Sequence, residues 1–144
     1  MMRRAGLWLA LAAACRCGAA AACADLRVHD AWVADAPPGA PVRVGYAVLE
    51  NGGGAPLAID RIDGTDFDSV EPHRMSIVDG IMQMRPLPRL QVPAHGRLAL
   101  QAGGDHLMLT GPHRALKPGD DTALVFRCGA QAVTVRFAVR GAAP

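Results

Sequence analysis

No stretch of this chain sustains a helical apolar repeat. β-Branched and apolar residues instead come in short runs cut by Gly, Pro, Asn and Asp: Leu26–Val33, Val42–Glu50, Leu57–Ile62, Ser69–Met75, Arg97–Gln101, His106–Thr110, Ala123–Arg127 and Ala132–Val139. Many short strands separated by turn signals predict an all-β chain folded as a single-domain antiparallel sandwich or small barrel. Turns are expected at Pro37-Pro38-Gly39, Asn51-Gly52-Gly53-Gly54, Gly103-Gly104 and Pro118-Gly119-Asp120. The last hairpin is the most explicit: Leu124-Val125-Phe126 leads into a turn, and Val133, Val135 and Phe137 alternate toward the core. Trp32 and Tyr46 fall inside strand-like runs and read as packing residues.

The N-terminus has a different character. Met1-Met2-Arg3-Arg4 precedes a small and apolar stretch from Ala5 to Ala14, the layout of an export signal and too short for a membrane span of ~20 residues. Ala22-Cys23-Ala24 offers small residues for cleavage after Ala24, so residues 1–24 are expected to be a signal peptide and 25–144 the mature domain. Two other readings of the segment are a twin-arginine signal on Arg3-Arg4 and a lipid-modification signal ending at Cys15. Cleavage after Ala24 removes three of the 15 basic residues and none of the 13 acidic ones, leaving 12 against 13. A mature surface so balanced gives no basis for binding nucleic acid or an anionic membrane. The same cleavage removes Cys15, Cys17 and Cys23, so Cys128 is expected to be unpaired and to behave as a small, partly buried residue.

Beyond Met1 and Met2, every methionine lies between positions 75 and 108: Met75, Met82, Met84 and Met108. Methionine used as general core filler would be scattered, so the confinement calls for a local reason. His73 and His106 share the window. Ten residues separate His73 from Met84, twenty-one separate Met84 from His106, and one separates His106 from Met108. On a strand, His106 and Met108 would sit about 7 Å apart on one face while Leu107 and Leu109 turn inward. Thioether sulfur is a soft, neutral donor and imidazole a borderline one, a combination that selects Cu(I). A structural zinc site would recruit thiolate or carboxylate. The competing reading is plain half-buried packing. The metal-ligand expectation is therefore His73, Met84, His106 and Met108, with Met75 and Met82 as neighbours whose roles stay open.

The segment from His73 to Met108, with Gly80-Ile81-Met82-Gln83-Met84-Arg85-Pro86 at its centre and Gly103-Gly104-Asp105-His106-Leu107-Met108-Leu109 at its end, resembles the PCu(A)C family of periplasmic copper chaperones. The likeness extends to Asp30-Ala31-Trp32, Pro37-Pro38-Gly39, Tyr46, Asn51 and Leu116-Lys117-Pro118-Gly119-Asp120, and so covers most of residues 26–140. The resemblance implies a cupredoxin-like antiparallel β-sandwich of Greek-key type and a solvent-accessible Cu(I) site. It also implies delivery of copper to the CuA centre or related copper sites of respiratory oxidases, alongside Sco-type thiol proteins. The chain departs from the family pattern in placing Met75 two residues after His73, and its ending, Arg140-Gly141-Ala142-Ala143-Pro144, carries no His/Met-rich extension.

The expected function is thus metal carriage rather than catalysis. A periplasmic copper buffer would have the same donors. A blue-copper electron carrier would need a thiolate beside two histidines, and Cys128 lies far along the chain from the motif. Asp63, Asp66 and Asp68 read as a solvated acidic face, and His29, His95 and His113 as surface or strand-end residues.

Overall fold

A computed structural model describes residues 23–141. After a single 3-10 turn at Cys23–Asp25 come eleven strands: β1 (Leu26–Ala34), β2 (Val42–Asn51), β3 (Leu57–Ile59), β4 (Arg61–Gly64), β5 (Phe67–Val78), β6 (Ile81–Pro86), β7 (Leu90–Val92), β8 (Arg97–Leu100), β9 (Asp105–Pro112), β10 (Asp121–Cys128) and β11 (Gln131–Arg140). The main sheet runs β1-β11-β10-β4-β5-β9-β2-β8, and β1 also pairs with β2, so the strands close into a flattened barrel. β3 and β7 form a separate two-stranded ribbon. The all-β, single-domain sandwich expected from the sequence is the fold observed. Every pairing is antiparallel except β1 with β11, where Trp32 faces Ala138 and Val33 faces Val139.

Alternation sets the layers. In β2 every odd-numbered residue is buried and every even one half-exposed, so Ala47 and Leu49 face the core while Val44 and Tyr46 face outward. The core is filled by Val33, Leu49, Leu107, Leu109, Leu124, Phe126 and Phe137, all fully buried. Phe137 points inward as expected, and Val133 and Val135 pack against the cluster from a half-buried position. Gly45 sits where β2 crosses closest to β9: a Cβ there would lie 3.1 Å from a Leu109 methyl and 3.4 Å from Leu107 Cβ.

The structure adds two strands the sequence runs missed, β6 and β7, and splits the Leu57–Ile62 run at Asp60 into β3 and β4. β6 was legible: Asp79 and Gly80, both at positive φ (52° and 74°), form a two-residue hairpin turn between Val78 and Ile81. Asp-Gly is a favoured sequence for that turn, because both central residues must tolerate positive φ.

The cysteine expectation is overturned. Cys128 is bonded to Cys23, with Cα atoms 5.5 Å apart, across a separation of 105 residues. Both are buried, at 9% and 3% exposure. With Cys23 present, the bond ties the N-terminal turn to the end of β10. The remainder of the proposed signal, with Cys15 and Cys17, lies outside the described residues.

Candidate metal site

Register places the four predicted ligands. β5 lies between β6 and β9, and its residues 71, 73 and 75 face outward, since Val70 and Pro72 pair with the inward-facing Leu109 and Leu107. His73 stands directly across from His106, and Glu71 across from Met108. On the other side the hairpin turn fixes Met75 opposite Met84 and Ile77 opposite Met82. All four predicted ligands therefore share the outer face of neighbouring strands. His73 and His106 form a central row, Met108 lies one row to one side on β9, and Met84 lies one row to the other side on β6. Tyr46, half-buried, shares this face and packs against Trp32 with ring centroids 4.8 Å apart and planes tilted by 43°.

The two imidazoles lie with centroids 6.1 Å apart and planes tilted by 39°. Each has one nitrogen engaged. His106 Nδ1–H donates to the Gly104 carbonyl at 3.1 Å, which leaves the Nε2 lone pair free. His73 Nε2 faces the Glu71 carboxylate at 3.4 Å, while its Nδ1 is buried and has no hydrogen-bond partner. A buried nitrogen without a partner is costly, and a lone pair held ready by a fixed tautomer is what a metal-binding imidazole requires. His106 is almost wholly buried at 3% exposure, His73 is partly so, and Met84 is 44% exposed. The donors thus grade from buried nitrogen to open sulfur.

The donor chemistry is selective. Among the described residues no group of three or more His, Cys, Asp and Glu could hold a metal ion, and the further soft donors on this face are the thioethers. The disulfide removes Cys128 as a thiolate. A surface depression of about 690 Å³ beside Arg43, Leu116 and Pro118 contains none of the four ligands. The four predicted ligands lie on the outer strand face instead.

The residues set aside in the sequence have structural partners. Asp63 bonds Arg61 and Arg127, Asp66 bonds Arg114 and Thr122, and Asp68 bonds His113. They form ion pairs rather than a free acidic face. The Arg114 guanidinium, ahead of the Thr122 hydroxyl, holds the Asp66 carboxyl below its usual range. His29 pairs with Glu50, and His95 occupies a turn at positive φ.

Residues 26–139 match the family model described as putative lipoprotein LpqE-like. The chain belongs to this family. No curated protein matches it in sequence. Among solved structures, the LpqE-like chain is similar to the copper-bound PCuAC domain from PmoF2, at a TM-score of 0.69 and 18% identity over 82% of this chain and 94% of that one. It is also similar to apo-DR1885 from Deinococcus radiodurans, at 0.64 and 26% identity over 99% and 96%. The Cu(I) form of DR1885 matches at 0.63 and 28% identity over 78% and 76%. These likenesses establish the cupredoxin-like PCuAC fold for the LpqE-like chain.

Proposed function

We propose that this LpqE-like protein is a Cu(I)-binding metallochaperone, holding the ion with His73, His106, Met108 and Met84. The observation that carries the reading is the histidine row: two imidazoles on adjacent strands, each with one nitrogen fixed by a partner or a carboxylate neighbour. Each keeps one nitrogen for the metal, the His73 one buried and unpartnered, on the face that also carries the thioethers. Similarity to the Cu(I) form of DR1885 supports the choice of ion. Neutral thioethers bind hard cations poorly and imidazole suits copper, so Cu(I) fits better than Zn(II) or Mg(II). A blue-copper role loses its required thiolate, because the Cys128 sulfur is bonded to Cys23.

Placed in the cell, the protein acts after export, in an oxidising compartment such as the periplasm where a disulfide persists and thioethers stay usable. Its cargo would pass to the copper sites of a respiratory oxidase, CuA or a related centre, with Sco-type thiol proteins as partners. A buffering role differs only in lacking a dedicated acceptor. Because Cys23 is needed for the disulfide, export processing falls before residue 23 rather than after Ala24. The lipoprotein description of the family makes Cys15, with Leu11-Ala12-Ala13-Ala14 before it, the leading lipid-modification candidate.

The deciding experiment is anaerobic loading with Cu(I), Cu(II) and Zn(II), followed by metal analysis and X-ray absorption. One tightly held Cu(I) with mixed nitrogen and sulfur neighbours is expected. Preferential retention of Zn(II), or a copper shell without sulfur, would refute the reading.

A further inference from the structure

Strand register puts a fifth soft donor closer to the histidine row than one of the four predicted ligands. Met75 lies two residues beyond His73 on the same face of β5, directly opposite Met84 on β6. Its backbone N–H donates to the Gly104 carbonyl at 3.2 Å, which fixes it one row from His106. Strand spacing and rise put the Met75 and His106 Cα atoms about 8 Å apart, against about 12 Å for Met84 and His106, which have β5 between them. His73, His106, Met108 and Met75 thus form a parallelogram over two adjacent strands, with Met75 and Met108 at its far corners, and Met84 stands one strand outside it. Exposure follows the same order: Met75 is half-buried, Met84 is 44% exposed and Met82 is 64% exposed. So exposed a methionine as Met82, flanked by Ile77 at 73% and Ile81 at 65%, gains nothing from core packing.

We infer that Met75 and Met84 share one coordination position, the ion being held inward by the Met75 sulfur and outward by the Met84 sulfur, with Met82 the outermost soft donor on the same hairpin face. This rests on the Cu(I) reading of the site and deepens it. The hairpin becomes a short ladder of thioethers along which Cu(I) moves between solvent, or a docked acceptor, and the buried imidazoles. Each step is ligand exchange at constant oxidation state: one sulfur–copper bond forms as another breaks, and no proton or electron moves. Two interchangeable thioethers leave the ion well held while exposing it to an incoming ligand at the Met84 side.

The test is a set of four proteins, wild type, Met75→Leu, Met84→Leu and the double variant, each titrated anaerobically with Cu(I) against a chromophoric chelator. Methyl spectra of ¹³C-labelled methionine are recorded with Ag(I) as a diamagnetic stand-in. Each single variant is expected to lose affinity several-fold, and the double variant far more than the product of the two, because each sulfur covers for the other. The Met75, Met84 and Met108 methyl signals all shift on loading. An unshifted Met75 methyl, or a Met75→Leu protein equal to its parent in both backgrounds, overturns the ladder. His106→Ala separates the two levels: if that variant also binds Cu(I) like wild type, the site assignment itself fails, and the ladder with it. Circular dichroism of the apo forms checks the folding of each variant: Met75 and Met84 lie outside the core, whereas His106 is 3% exposed.

Discussion

Replacing Cys128 with Ser opens the bond that joins the N-terminal turn to the end of β10. The bond closes a loop spanning 105 residues of sequence. Loop-closure entropy for that length corresponds to about 4.7 kcal/mol of restriction on the unfolded chain, and native disulfides of small exported domains contribute about 2 to 5 kcal/mol. Against a total domain stability of about 5 to 15 kcal/mol, the loss is a substantial fraction of the whole. The Ser hydroxyl also enters a pocket that is 9% exposed, which adds to the cost rather than offsetting it. With a urea slope near 1.5 kcal/mol per molar, a loss of about 3 to 4.7 kcal/mol lowers the unfolding midpoint by roughly 2 to 3 M. Equilibrium urea unfolding of the oxidised protein and of Cys128→Ser, followed by circular dichroism, reads this directly. The folded fraction of the variant should bind Cu(I) with unchanged affinity, since neither cysteine is in the donor set. A midpoint shift below about 0.5 M would refute the reasoning, as it would mean the bond constrains nothing the fold does not already hold. A lost copper affinity in folded Cys128→Ser would instead bring sulfur from cysteine back into the site.

Intact-mass measurement of exported protein, before and after reduction, is expected to show a chain that retains Cys23 and gains two mass units on reduction; a mature chain starting at Asp25 would contradict it. Met82→Leu should leave equilibrium Cu(I) affinity within about twofold while Met84→Leu weakens it several-fold, both variants remaining folded because a volume-conserving apolar swap costs under ~1.5 kcal/mol; the reverse order in a chelator competition would mean the hairpin register is misread. Protons compete with the metal for both imidazoles, so Cu(I) affinity should fall between pH 7 and pH 5, and a flat titration would exclude two-histidine ligation. Asp66 has its carboxyl pKa lowered first by the Arg114 hydrogen bond. Its contribution to stability is therefore present above the ordinary value of 3.8 and is lost as pH falls through the lowered one. Asp66→Asn should reduce stability at pH 7 and flatten the acid limb of a stability profile, and an unchanged limb would count against the ion pair.

The alternating runs were enough to read most strands, because each side of this sandwich needs one buried face and a period of two records it. β7, three residues long, and the break at Asp60 left no periodic signal, since so few residues show no alternation. The histidine row was legible as a spacing but not as a geometry: nothing in the numbers 73 and 106 says they stand opposite, and only the pairing of β5 with β9 decides it. The rank of Met75 was hidden for the same reason, although Asp79-Gly80 already contains the hairpin register that reveals it. Cys128 was misread because the pairing partner lies at the boundary between an export-like segment and the domain, where short-range patterns favoured discarding it.

β6 pairs with β5 alone and lies off the closed ring of strands, and all but one of its side chains are exposed. Its opening therefore breaks one ladder and uncovers almost no core, which makes it a unit of low cooperativity whose amides should exchange well before those of β9 or β10. A lineage can then swap the outer sulfur for another donor, lengthen the hairpin or retune its tip for a new acceptor without endangering the barrel. Barrel and hairpin are free to evolve at different rates.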